Sequence, residues 1–227
     1  MNELALFAGA GGGLLASKIL GWTTVCAVEL DWFCRSVLIQ RQNDGILRPC
    51  FPIWDDIRTF NGRPWRGRID VVSGGFPCQA YSTAAAGKNT ADDLWPEMRR
   101  VVADVAPRYV FAENVSRVAI DQAADDLESM GYKTKAISLS AKDLGADHIR
   151  ERFWLLAYTD NDGELLRSVN AETRWMPKLG HGVWESHPRS AGIPDGMADR
   201  VDRLKATGNG QVPIVAATAW MILSDQR

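Results

Sequence analysis

Short apolar runs bounded by glycine, proline or charge alternate along the chain with longer segments whose apolar residues recur every three or four positions. That alternation predicts an α/β fold on one mostly parallel sheet with helices on both faces. The runs at 4–7, 24–28, 69–73 and 109–112 read as strands, and those at 14–20, 32–41, 94–105 and 122–130 as helices, the last closed by Gly131. Residues 133–139 and 152–157 read as a pair of antiparallel edge strands around a loop. From 158 to about 205 the periodicity fades into Gly, Pro, Trp and mixed charge, and a terminal helix is expected over 213–223.

A chain of 227 residues can bury a sizeable core as one domain, or as one domain with a small appendage. Its four cysteines, Cys26, Cys34, Cys50 and Cys78, form no CxxC pair and lie among apolar neighbours. Reduced thiols and a cytoplasmic setting are therefore expected. The chain enters a strand directly after Met1, with no basic leader, and no run approaches membrane-spanning length, so neither export nor a membrane partner is expected. No metal site is signalled. The formal net charge of −2 weighs against nucleic acid as a partner, since phosphate binding is driven by Lys and Arg. Local clusters change that picture. Arg63, Arg66 and Arg68 precede the strand at 69–73, and Lys133, Lys135, Lys142, Arg150 and Arg152 accompany the edge pair. Arg167, Arg174, Lys178, Arg189, Arg200, Arg203 and Lys205 are interleaved with Trp175, His181, Trp184 and His187. Such a mix suits phosphates and unstacked bases, although a solvated surface or a miniature core accounts for it equally well.

The chemistry concentrates at strand ends. Cys78 follows Gly75, Phe76 and Pro77 at the carboxyl end of the strand at 69–73, where ligands gather in open α/β sheets and where a nucleophile is expected. Gly9, Gly11, Gly12 and Gly13 make a turn that lets backbone approach a ligand before a helix N-terminus. Glu29 closes the next strand, about where a carboxylate can accept hydrogen bonds from a ribose diol. Glycine turn and carboxylate together point to an adenosine ligand, and leave dinucleotide, nucleotide and S-adenosylmethionine open.

The motifs Phe7-Ala-Gly-Ala-Gly-Gly, Val28-Glu-Leu-Asp, Asp56-Ile, Gly75-Phe-Pro-Cys-Gln, Glu113-Asn-Val, Arg150-Glu-Arg152 and Gly208-Asn-Gly-Gln-Val-Pro213 occur in that order. In residues and order they resemble the cytosine carbon-5 DNA methyltransferase family. The resemblance implies a Rossmann-like, S-adenosylmethionine-dependent sheet of seven strands. It implies a catalytic domain over 1–157, a reduced and irregular target-recognition region over 158–205, and a C-terminal helix over 206–227 that returns to complete the cofactor pocket. It further implies Cys78 as nucleophile toward cytosine carbon 6, Glu113 as the partner of ring nitrogen 3, and Arg152 as the cation that steadies the base carbonyl and favours the thiolate. Phe7, Ala8, Gly9, Gly11, Gly12, Glu29, Leu30, Asp56, Ile57, Pro77, Leu94, Asn209 and Val212 are then expected at the cofactor. Gln79, Ser82, Lys88, Asn114 and Arg150 are expected at double-stranded DNA bearing a flipped cytosine.

Departures from the family pattern are local. His148 stands where the family usually has Gln, and Asp92 and Asp93 stand where an arginine often ends the loop over 81–93. The stretch between 157 and 205 is roughly half or less of the usual recognition segment, which implies a short or relaxed target or a protein partner that supplies specificity. A non-catalytic, partner-dependent subunit of the same fold and a transfer-RNA methyltransferase are the alternatives.

Overall fold

A computed structural model describes residues 1–47, 49–77, 93–159, 206 and 208–225. Among the described residues the strands are β1 (Asn2–Leu6), β2 (Thr23–Val28), β3 (Ile53–Trp54), β4 (Val71–Gly75), β5 (Tyr109–Asn114), β6 (Lys133–Ser140) and β7 (Glu151–Tyr158). The helices are α1 (Gly12–Ile19), α2 (Trp32–Asn43), α3 (Trp95–Val105), α4 (Arg117–Ser129) and α5 (Pro213–Asp225). The strands form one sheet in the order β3-β2-β1-β4-β5-β7-β6. The first five run parallel, β7 runs antiparallel to β5, and β6 antiparallel to β7.

Side chains along each strand alternate between the two faces, as strand geometry requires. Leu4, Leu6, Val72, Val110, Ala112, Leu155 and Ala157 meet α3 and α4 on one face. Val71, Tyr109, Phe111, Trp154 and Leu156 meet α1 and α5 on the other, where α2 covers Ala5 and Ala27. The Asp31 carboxylate caps α2 by accepting from the N–H groups of Phe33 and Cys34.

Three elements differ from expectation. The two antiparallel strands are not both at the edge: β7 is inserted between β5 and β6, and only β6 is the edge strand. The continuous apolar run Trp154, Leu155, Leu156, Ala157 is buried on both faces, as suits an interior strand. Helix α4 begins at Arg117 rather than Gln122, because the Ser116 hydroxyl caps it and Ala119, Ile120, Ala123 and Leu127 form its buried stripe. Strand β3 is two residues long, too short for any sequence period to register.

Two ties hold α1 and α5 to the sheet. The buried Glu3 carboxylate accepts hydrogen bonds from the hydroxyls of Ser17 (2.7 Å) on α1, Thr24 (2.7 Å) on β2 and Ser73 on β4. Helix α5 is apolar on nearly all sides, and its Trp220 makes edge-on ring contacts with Trp22 at 4.6 Å, Phe111 at 5.5 Å and Tyr109 at 5.6 Å. A helix apolar all round is stable only when buried, so Trp220 is the chief anchor of this terminal element. Trp220→Ala is expected to destabilise the fold by about 3–5 kcal/mol in equilibrium denaturation. A loss below about 1 kcal/mol would mean that α5 is not docked as described.

Candidate active site

The carboxyl ends of β1, β4 and β5 meet the segment leading into α5 around a cleft. It is lined by Phe7, Ala8, Gly9, Ser73, Gly74, Gly75, Glu113, Asn209, Gly210 and Gln211, among others. After β1 the chain turns through left-handed conformations at Phe7 (φ 53°), Gly9 (φ 53°) and Gly11 (φ 92°). Such a φ at Phe7 is strained for a residue with a side chain. The turn is held by hydrogen bonds from Ala8 N–H to Val28 C=O (3.1 Å) and from Gly11 N–H to Ala8 C=O (2.9 Å). Helix α1 then starts without a side-chain cap, its N-terminus directed to the cleft side of the loop. Glu29 lies behind this loop, its Oε2 accepting from Gly9 N–H (2.6 Å) and its Oε1 from Asp31 N–H (2.8 Å). Burial pushes its carboxyl above the ordinary range, and those two backbone bonds pull it back.

Glu113 ends β5, is 7% exposed, and forms an ion pair with Arg152 (Nε to Oε1, 3.0 Å) from the adjacent β7. Its other oxygen, Oε2, accepts from Gln211 Nε2 at 3.4 Å. Burial raises its pKa above the ordinary carboxylate range, opposed by Arg152, then Gln211, then Arg150. A methyl group on Gly75 would sit 2.5 Å from Glu113 Oε2, so only glycine there leaves the carboxylate room. Asn114 fixes the exit from β4: its Nδ2 donates to Phe76 C=O (2.9 Å) and its Oδ1 accepts from Ser116 N–H (2.9 Å). Leu94 N–H donates to Pro77 C=O (3.3 Å), so the chain leaves and re-enters the described structure at one point beside the cleft. Cys78, Gln79, Ser82 and Lys88 lie outside the described residues, as do most of 158–205 and its aromatic and basic residues.

The structure thus brings Phe7, Ala8, Gly9, Glu113 and Asn209 to one cleft, with Glu29, Gly11, Gly12, Pro77, Leu94, Asn114 and Arg152 around it. Other expected residues are engaged elsewhere. Asp56 caps a short 3₁₀ helix and pairs with Arg58 (3.0 Å), whose guanidinium holds its carboxyl below the usual range. Ile57 is buried in the core beside α3, Val212 packs under α5, and Leu30 is exposed. Arg150 donates through Nη2 to the carbonyls of Gly208 (2.7 Å) and Gly210 (2.5 Å) and so clamps the segment before α5. His148 is exposed beside Asp147. Of the basic cluster before β4, Arg66 caps the C-terminal carbonyls of α3, at Ala103 and Asp104, and Arg63 pairs with Asp104. Among the described residues no group of three or more His, Cys, Asp or Glu could hold a metal ion, and no helix is long and apolar enough to cross a membrane.

Gln211 is the functional candidate that sequence reasoning missed. It lay within the quoted Gly208-Asn-Gly-Gln-Val-Pro213 motif, but its contacts come from residues far away in the chain. Comparisons with known proteins bear on the family and the fold. The chain is 31% identical over 207 residues to the type II methyltransferase M1.HphI of Haemophilus parahaemolyticus, covering 80% of this chain and 54% of that protein. It is 28% identical over 203 residues to the type II methyltransferase M.NgoMIV of Neisseria gonorrhoeae, covering 77% and 62%. The chain therefore spans a little over half the length of these curated relatives. The fold is that of the S. pombe Dnmt2 methyltransferase structure, with a TM-score of 0.55 at 21% identity over 73% of this chain and 55% of that one. Residues 1–190 match the model of the C-5 cytosine-specific DNA methylase family, and the chain belongs to that family.

Proposed function

We propose that this chain transfers a methyl group from S-adenosylmethionine to carbon 5 of a cytosine flipped out of double-stranded DNA, through a covalent adduct of Cys78. The observation that carries the reading is the ion pair between buried Glu113 and half-buried Arg152, set at the rim of a glycine-walled cleft and next to the strand exit that leads to Cys78. Cytosine carbon 5 is a poor nucleophile, and covalent addition at carbon 6 makes it an enamine carbon. The Cys78 thiolate forms the bond to carbon 6 while Glu113, whose proton affinity is raised by burial, hydrogen-bonds to or protonates ring nitrogen 3 and stabilises the electron pair displaced onto the ring. Arg152 holds the Glu113 carboxyl and faces the base carbonyl. Carbon 5 takes the methyl, its proton leaves to solvent, and the Cys78–carbon 6 bond breaks to return the thiolate.

Bound S-adenosylmethionine supplies the electrophilic methyl. The cleft suits it: Gly9 faces open space, the α1 N-terminus has no side-chain cap, and Glu29 is held against the glycine loop by Gly9 N–H. Glu29 would accept from the ribose, since a carboxylate with two N–H partners retains acceptor capacity. The segment over 158–205 would read the target, with phosphate contacts from its arginines.

Cys78→Ser is expected to abolish methyl transfer with cofactor affinity nearly unchanged, and DNA containing 5-fluorocytosine should trap the unmodified enzyme covalently, because fluorine cannot leave as a proton. Substantial turnover by the serine variant, or no adduct from an active preparation, would sink the covalent route.

Glu29 and Glu113 should give separate phenotypes. Glu29→Ala removes charge-assisted hydrogen bonds and should weaken cofactor binding by about 1.5–3 kcal/mol in calorimetry. Glu113→Gln should lower the single-turnover rate about 10²–10⁴-fold with cofactor binding spared. The opposite assignment of the two phenotypes would show the pocket to be misplaced.

Bisulfite sequencing of plasmid from expressing cells should show methylation in a context of about two to four base pairs, since few side chains in a short Gly- and Pro-rich segment can be held rigidly at a groove edge. Methylation confined to a site of six or more specified pairs would overturn this, and methylation appearing only with an added partner protein would favour a partner-dependent subunit.

A further inference from the structure

The carboxamide of Gln211 is enclosed by surfaces that lack side chains. A methyl group on Gly13 would lie 2.6 Å from its Oε1, one on Gly75 would lie 3.2 Å from its Nε2, and one on Gly12 would collide with its backbone carbonyl. One end of the amide therefore faces the first turn of α1, and the other faces β4 and the Glu113 carboxylate. The backbone on either side is fastened. Arg150 grips the carbonyls of Gly208 and Gly210 on one side, and α5 begins on the other with Ala216 N–H bonded to Val212 C=O at 3.0 Å.

We infer that Gln211 is a positioning residue for Glu113: its Nε2–H occupies Oε2, completes with Arg152 a two-sided grip on the carboxyl, and links that grip to the glycine loop under α1. The inference rests on the role given to Glu113 above. The Nε2 end of the amide can donate but not accept, so it favours ionised Glu113, and when the acid is protonated an O–H on Oε2 finds no acceptor at Nε2. The proton is thereby directed into the cleft, where ring nitrogen 3 would be.

The charges facing Glu113 are Arg152 and Arg150, both from β7 or the residue before it, and arginine keeps its charge throughout the working pH range. Removing the Gln211 donor disfavours the anion, so Glu113 should titrate at higher pH. The shift expected for one lost hydrogen bond is about half to one pH unit.

The test reads that titration without substrate, by ¹³C NMR of glutamate-labelled full chain in a Cys78→Ser background that removes the thiol from the reading, with Glu113→Gln identifying the signal. Gln211→Leu keeps bulk over Gly12 and Gly13 but has no donor. It should move the Glu113 midpoint upward by that amount, and in the Cys78-containing enzyme it should move the alkaline limb of kcat upward with it. Gln211→Glu, close to isosteric, should also move the midpoint upward through carboxylate repulsion, and it decides the matter where the leucine variant does not fold. A Glu113 midpoint unmoved in the folded variant, whatever its activity, would overturn the inference. Full kcat in Glu113→Gln would instead remove the proposed role of Glu113 and leave the measured midpoint shift standing.

Discussion

A carboxylate buried at the end of β5 is unfavourable unless cations and donors surround it, and the region around Glu113 is arranged to meet that requirement. The cation comes from the insertion of β7. In the β5–β7 register Glu113 lies opposite Trp154 and Asn114 opposite Phe153, so Arg152 stands just beyond the end of β5 and reaches back to the carboxyl. Had β7 stayed outside β6, no arginine would lie beside this strand end. The position of one interior antiparallel strand therefore determines whether the site has its positive charge.

A second constraint is room. Gly75 stands opposite Glu113 in the β4–β5 register and lacks the atom that would collide with it, while Gly12 and Gly13 admit the segment that leads into α5. These glycines serve different partners yet produce one result: backbone from three distant parts of the chain approaches closely enough for side chains of the fourth to fill the gaps. Arg150 and Trp220 hold that last part in place from opposite ends, one by hydrogen bonds to carbonyls and the other by ring contacts.

Much of this was legible from the sequence. Short apolar runs located β1, β2, β4 and β5, the glycine turn and the strand-end carboxylate pointed to Gly9 and Glu29, and the resemblance in motif order supplied Phe7 and Glu113. What escaped were non-local facts. The apolar run at 153–157 signals a buried strand, but nothing local says which two strands flank it. Gln211 looks like a loop polar residue until Gly13 and Gly75 are seen against it, and Arg150 looks like a base or phosphate contact until its carbonyl partners are seen. The Asp56–Arg58 pair is the reverse case, a local interaction two residues apart at a side chain which the motif order assigned to the ligand. The start of α4 is readable in Ser116, a capping residue placed ahead of the buried pair Ala119 and Ile120.

Chain order adds a temporal dimension to the docking of α5. During synthesis the sheet through β7 can pair and cover its α3–α4 face while Trp22, Tyr109 and Phe111 still await Trp220, and Glu113 still lacks Gln211. Helix α5 is thus the last of the described elements to be made, and it closes both the core and the cleft. A nascent or interrupted chain that stops before residue 206 presents an open aromatic face to chaperones and proteases and has an incomplete cleft. Docking of α5 and completion of the cleft are therefore one event in folding.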